Sequence, residues 1–329
     1  MEKCNLCPRH CGAERKAGQA GVCGAAGDQI LAARAALHMW EEPCLSGENG
    51  SGAVFFRGCP LRCIYCQNYQ IAHVDVKKQI TRNRLAEIFL ELQEQNAANI
   101  NLVTAAHYVP QVIAALENAR KGGLNLPVIY NSSGYEKTET LKMLEGYVDV
   151  YLPDFKYLNK RHAKKYSLAE DYPEVAKAAI AEMVRQTGSP KFDDRGMMTK
   201  GVIVRHLLLP GCLSDAKKIV EYLHQTYGEQ IYMIHTSNGS EYSDAMSTQS
   251  KRQLLAEGVK SFSITLPSSN NNNITKEGFS AASTNNASLQ VHISFESDAI
   301  KSGASSPKVE YNASQLVAIR NEIVDIAGR

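Results

Sequence analysis

Apolar residues in this chain alternate between two patterns. Short continuous runs occur at 53–56, 101–106, 127–131, 148–152, 201–209 and 231–235. Between them, apolar positions recur at three- and four-residue steps: Leu85, Ile88, Phe89 and Leu92; Val112, Ile113 and Leu116; Val175, Ala179, Ile180 and Met183; Ile219, Val220 and Leu223. The continuous runs predict strands covered on both faces, and the stepped stretches predict helices with one buried side. A further short helix is expected over 138–144. Pro173 stands where a helix takes a proline in its first turn, and Ser214-Asp215 is placed to cap another helix. Strands that alternate with helices imply right-handed crossovers and a parallel sheet. The expected fold is α/β, a partial (β/α)6 open TIM-like barrel over residues 51–260.

Two segments break the pattern. Residues 1–50 form a cysteine-rich N-terminal segment. Residues 261–329 form a Ser/Asn-rich tail, with strand-like alternation at 288–295 and helical spacing at Leu316, Val317, Ile319, Ile323 and Ile326. The Ser/Asn tract is too polar to build a core of its own. With 36 basic and 34 acidic residues the net charge is +2, which gives no electrostatic case for nucleic acid or an anionic membrane. No apolar run reaches the roughly 20 residues of a membrane span, and the first residues carry no signal-peptide core. A cytoplasmic protein is expected. Its nine cysteines then argue for metal ligation over disulfides.

Seven of the nine cysteines fall in two clusters, while Cys44 and Cys212 stand alone. Cys59-Pro-Leu-Arg-Cys63-Ile-Tyr-Cys66 has the spacing C-x3-C-x2-C and follows the run 53–56, with Arg57-Gly58 ending that strand. Three thiolates on one loop can hold three irons of a cubane cluster and leave the fourth open to a ligand. A structural zinc loop and three unrelated thiols are the alternatives. Cys4, Cys7, Cys11 and Cys23, set among glycines, predict a metal-stapled knuckle holding zinc or a second iron–sulfur cluster. His10 could substitute as a ligand or be a plain surface histidine. In barrels of this kind the chemistry sits at the C-terminal strand ends. Here those ends carry the cysteine loop, His107, Asn131, Ser132, Asp154, Lys156, Arg205 and His235. They form a polar ring on apolar strands.

The three-cysteine loop, with Tyr65 before its last cysteine, resembles the signature of the radical S-adenosylmethionine (SAM) enzymes. Cys7-Pro-Arg-His-Cys11, then Trp40-Glu-Glu-Pro43, then Gly50-Ser-Gly52 before the loop, resemble the branch related to pyruvate formate-lyase (glycyl radical enzyme) activating enzymes. That branch mostly carries Pro where this chain has Cys44. The resemblance covers roughly residues 4–230. It implies a partial barrel, a [4Fe–4S] cluster on Cys59, Cys63 and Cys66, and SAM on the open iron. The chemistry implied is reductive cleavage to a 5′-deoxyadenosyl radical that abstracts hydrogen from a substrate. The resemblance further implies that Lys156 meets the SAM carboxylate and that Asp154 builds a cation site with Asn131 and Ser132. Arg205 matches an arginine kept before a Pro-Gly corner. A reductant such as flavodoxin or ferredoxin, and a glycyl radical enzyme, are the partners implied. Glycyl-radical activators usually carry Gly-Gly-Glu at the second strand end, where this chain has Thr104-Ala-Ala-His107; the narrower branch has a histidine there. The competing functions are a non-catalytic iron–sulfur electron carrier and a zinc-knuckle scaffold protein.

Overall fold

The computed structural model describes residues 3–27, 30–73, 79–236, 259–265 and 290–295. The chain divides into two compact units, Met1–Asn238 and Gly239–Arg329. In the first, the strands are β1 (Ile30–His38), β2 (Ser51–Phe56), β3 (Gln79–Ile80), β4 (Ile100–Val103), β5 (Val128–Ser132), β6 (Val150–Pro153), β7 (Lys191–Phe192), β8 (Met198–Leu207) and β9 (Tyr232–Thr236). The helices are α1 (Pro43–Ser46), α2 (Tyr69–His73), α3 (Arg82–Glu94), α4 (Val109–Lys121), α5 (Thr138–Met143), α6 (Lys160–Ser167), α7 (Tyr172–Thr187) and α8 (Leu213–Tyr227).

The sheet runs β3-β1-β2-β4-β5-β6-β8-β7, with β9 also on β8. The six expected strands, β2, β4, β5, β6, β8 and β9, pair in parallel in their expected order. Among the described strands the sheet stays open: β9 pairs with β8, and the second neighbour of β2 is the antiparallel β1. The apolar pattern does not announce β1. Its sequence, Ile-Leu-Ala-Ala-Arg-Ala-Ala-Leu-His, contains four alanines, which favour helix in isolation. Pairing with β2 overrides that preference. The expected cap at Ser214-Asp215 is also different. Cys212 occupies the cap position of α8 without a side-chain bond. Asp215 instead accepts from the backbone N–H groups of Leu158 and Asn159, each at 3.2 Å, which ties the β6–α6 connection to α8.

In the second unit, β10 (Val259–Thr265) and β11 (Gln290–Phe295) pair antiparallel. The latter coincides with the strand expected near 288–295. The Ser/Asn tract and the helix expected at 315–327 lie outside the described residues. Among the described residues no helix is long and apolar enough to cross a membrane.

Strand register assigns the sheet's two faces. Val54, Leu102, Tyr130 and Tyr151 align across β2, β4, β5 and β6. They share a core with Phe89 of α3 and Val112 of α4, so the helices cover that face. Ala53, Asn101, Ile129 and Val150 align on the other face. That face meets residues 41–46. Glu41 accepts from Asn131 Nδ2 (3.2 Å) near the C-terminal strand ends. Four residues on, the Leu45 carbonyl accepts from Asn99 Nδ2 (2.6 Å) near the N-terminal ends. The segment therefore lies along the inner face, with Leu45 fully buried. Leu45→Ala should lower unfolding free energy by about 2–5 kcal/mol, as expected for a buried leucine. A chemical denaturation curve within about 0.5 kcal/mol of wild type would instead place residues 41–46 on the surface.

Candidate functional site

The cysteine loop leaves β2 through Arg57 and Gly58. Gly58 has φ +85°, and a Cβ there would lie 2.1 Å from the Cys23 carbonyl oxygen, so only glycine fits. Cys63 is buried, and Cys59 and Cys66 are half-buried. Burial pushes the Cys59 thiol up to about 12; the backbone N–H groups of Arg62 and Leu61 pull it down, while Cys63 and Cys66 push it up further. Burial raises Cys66 too, and Cys63 adds to the rise while Lys156 opposes it. The three thiols therefore lie within electrostatic reach of one another, and Cys63 and Cys66 within reach of Lys156. Ser167 at the end of α6 donates to Cys63 Sγ (3.0 Å), and Ile64 N–H donates to the Tyr166 carbonyl (2.9 Å). Tyr65 contributes its hydroxyl to a short contact with Tyr157.

Thiols raised in this way are poor anions by themselves and become thiolates when a cation joins them. Three cysteines on one loop fit three-point ligation of an iron–sulfur cluster. Among the described residues no three His, Cys, Asp or Glu side chains are gathered closely enough to hold a metal ion as they stand. Ligation therefore requires the cysteine side chains to turn toward one another.

Beside the loop, the ends of β5, β6 and β8 carry one connected set of charges. Asp154 Oδ2 accepts from Lys156 Nζ (2.5 Å), and Asp154 Oδ1 accepts from Arg205 Nε (3.0 Å). Arg205 also donates to Asn131 Oδ1 (2.6 Å) and pairs with Glu41 (3.5 Å). Burial would raise the Asp154 pKa, but Lys156 and Arg205 outweigh it and hold the carboxyl below its ordinary value. Burial likewise disfavours charge on Lys156 and Arg205, and Asp154 reverses that for both. Tyr172 fixes the backbone of this turn. Its hydroxyl accepts from Lys156 N–H (2.9 Å) and lies 2.9 Å from the carbonyls of Ser133 and Asp154. Every guanidinium nitrogen of Arg205 faces a protein partner, whereas the Lys156 ammonium has three donors and one named acceptor.

The other expected residues have different surroundings. His107 is wholly buried behind the cysteine loop, with Nε2 2.7 Å from the Arg57 carbonyl. Burial lowers its pKa to about 4, so it is a neutral brace for the loop. Ser132 accepts from Gly134 N–H (3.1 Å) and hydrogen-bonds to Glu136. His235 lies on β9, and its side chain is outside the described set. In the N-terminal knuckle, Cys7, Cys23, Cys11 and Cys4 sit within mutual electrostatic reach. A Cβ on Gly21 would stand 3.3 Å from Cys11 Sγ and 3.5 Å from Cys23 Sγ. The His10 ring is placed 3.1 Å from Asn5 Oδ1 and is exposed. Sequence reasoning missed Arg9, Glu41, Tyr172 and Ser167 as site residues. Arg9 and Glu41 stood inside the quoted motifs, while nothing in the pattern marked Tyr172 or Ser167.

Glu136 supplies a pH dependence. It is buried beside the Tyr130 hydroxyl (3.2 Å). Burial pushes its carboxyl up to about 8, against the lowering effect of hydrogen bonds from Tyr130 and Ser132. An unfolded glutamate ionises near 4.3, so between about pH 5 and about pH 8 folding takes up a proton. Stability then falls as pH rises through that window, by at most about 1.4 kcal/mol per unit from this group, and levels off above it. Glu42, raised to about 7 mainly by burial, slopes the same way. Glu136→Gln should remove its share of the slope and leave that of Glu42, as read from denaturation midpoints across the window. An unchanged slope would mean that Glu136 ionises normally.

Residues 53–207 match the model of the Radical SAM superfamily. The match opens within β2 and closes at the end of β8, taking in the three-cysteine loop, Asp154, Lys156 and Arg205. It leaves out the four N-terminal cysteines and Glu41. An uncharacterized protein of Methanocaldococcus jannaschii is 25% identical over 268 residues, which is 79% of this chain and 73% of the relative. The superfamily implies a [4Fe–4S] cluster and SAM. The part of this chain that carries the three-cysteine loop and the charged strand ends is a radical SAM superfamily domain.

Proposed function

We propose that this protein is a radical SAM enzyme of the glycyl-radical-enzyme-activating type, which abstracts hydrogen from a protein partner. The observation that carries this reading is Lys156, a shielded cation held by Asp154 within electrostatic reach of Cys63 and Cys66. When bound, the cluster and SAM supply reductive cleavage of SAM to methionine and a 5′-deoxyadenosyl radical. Cys59, Cys63 and Cys66 hold three irons of that cluster. Lys156 offers its remaining N–H donors to the SAM carboxylate, and a charge-assisted pair in such a shielded site is a strong one. Asp154 holds Lys156 in place, Arg205 holds Asp154, and Asn131 and Glu41 hold Arg205. These residues position the lysine and do not themselves touch SAM. The segment Trp40-Glu-Glu-Pro43, characteristic of the narrower branch, supports the activating-enzyme reading because it supplies Glu41 to this set. A flavodoxin- or ferredoxin-class reductant provides the electron, and a separate glycyl radical enzyme provides the hydrogen. Cys4, Cys7, Cys11 and Cys23 hold a second metal, either zinc or iron–sulfur.

Anaerobic reconstitution with iron and sulfide, followed by dithionite and SAM, should release 5′-deoxyadenosine. Cys63→Ala should release none, and SAM cleavage at the wild-type rate in that variant would falsify the radical assignment. Lys156→Ala should weaken SAM binding by about 1.5–3 kcal/mol, roughly 10- to 150-fold. Wild-type affinity in a titration would remove Lys156 from the SAM site. Incubation with a glycyl radical enzyme tests the narrower assignment, since only an activator produces the partner's radical signal by electron paramagnetic resonance.

A further inference from the structure

The N-terminal knuckle grips the radical loop at several points. Arg9, between Cys7 and Cys11, donates from Nε to the Pro60 carbonyl (2.7 Å) and from a terminal nitrogen to the Leu61 carbonyl (2.9 Å). The same guanidinium donates to the carbonyls of Ser167 (2.8 Å) and Leu168 at the end of α6, and lies 5.2 Å over the Tyr135 ring. Ser167 is the residue that donates to Cys63 Sγ. From the other side of the loop, Arg62 donates to the Val22 carbonyl (2.8 Å), and Gly58 packs on the Cys23 carbonyl. Arg15 donates to the His107 carbonyl (2.6 Å), and His107 in turn meets the Arg57 carbonyl. The contacting residues on the knuckle side are therefore Arg9, Arg15, Val22 and Cys23, each within four residues of a thiol.

This arrangement joins the two cysteine clusters mechanically. A segment of this size has few apolar contacts of its own, so a metal on its four thiols would set its shape. Arg15 supports an anionic centre there. It is buried, and its Nε and one terminal nitrogen have no hydrogen-bond partner. Four thiolates around a divalent ion or a cubane carry net negative charge, which a neighbouring guanidinium stabilises.

We propose that the metal on Cys4, Cys7, Cys11 and Cys23 is the clamp of the radical loop: it fixes Arg9 and the Cys23 carbonyl, and through them the backbone of residues 58–62 that presents Cys59 and Cys63. The inference rests on the reading that these four thiols bind a metal. Arg9 is a positioning residue for the radical cluster and is not a ligand.

The test uses the full-length chain, reconstituted anaerobically. It compares wild type with Cys11→Ser, Arg9→Gln and Arg62→Gln. Elemental analysis gives zinc and iron per chain. Electron paramagnetic resonance of the reduced protein, with and without SAM, reports the radical-loop cluster alone through its SAM-dependent change. Wild type should hold the N-terminal metal, about one zinc or about four irons beyond the radical cluster. Arg9→Gln should keep that metal and its thermal midpoint, yet lose more than half of the SAM-responsive signal or shift its g-values. Cys11→Ser should lose the N-terminal metal and, with it, the same signal. If Arg9→Gln does not fold, Arg62→Gln, which removes one exposed contact, should show a smaller change of the same kind. Retention of all metal in Cys11→Ser would overturn the underlying metal reading. Loss of that metal with an unchanged SAM-responsive signal there and in both arginine variants would overturn the clamp and leave the metal reading standing.

Discussion

A carboxylate flanked by two cations organises the mouth of this sheet. Asp154 is charged in a shielded place only because Lys156 and Arg205 both reach it. A buried charge without a partner costs several kcal/mol, so each member of the set holds the others to their positions. Gly134 lets the chain close over this point: a Cβ there would stand 2.1 Å from the Asp154 carbonyl. Three strands and the segment before β2 thereby meet at one ion cluster. A lysine with donors to spare is left within reach of Cys63 and Cys66.

The second constraint is the close approach of two backbones at Gly58 and Cys23. It brings the knuckle against the radical loop without any side chain between them. Arg9 then serves as a fork whose donors satisfy four carbonyl groups at a loop and a helix end that would otherwise need water. A planar guanidinium can do this, and a lysine ammonium, with three donors at one point, cannot reach all four.

The sequence makes the parallel strands legible because each is apolar on both faces, a pattern that survives any arrangement of neighbours. It makes the three-cysteine loop legible because the donors are local. What it hides is non-local. The alanine-rich β1 becomes a strand through its pairing with β2. Residues 41–46 belong to the cysteine-rich segment that breaks the pattern and are in fact folded along the inner face. Asp215 looks like a helix cap and bonds to the β6–α6 connection instead. His107, Asn131 and Arg205 are all at strand ends, as their positions in the runs indicate. Which of them faces a ligand and which supports a neighbour depends on distances that no spacing along the chain encodes.

The contacts of Arg9 also set an order of events during synthesis. Its acceptor at Leu168 lies 159 residues further along the chain. At ~5–20 residues per second, the ribosome needs roughly 8–30 s to supply it after Arg9 has been made. Glu41 waits longer still, since Arg205 comes later. Through that interval the four N-terminal cysteines are tethered to a nascent chain whose docking surface at the end of α6 has not yet been made. Capture of a metal in this window would give the segment a shape before its docking surface exists, and the later strands would then assemble against a preformed knuckle.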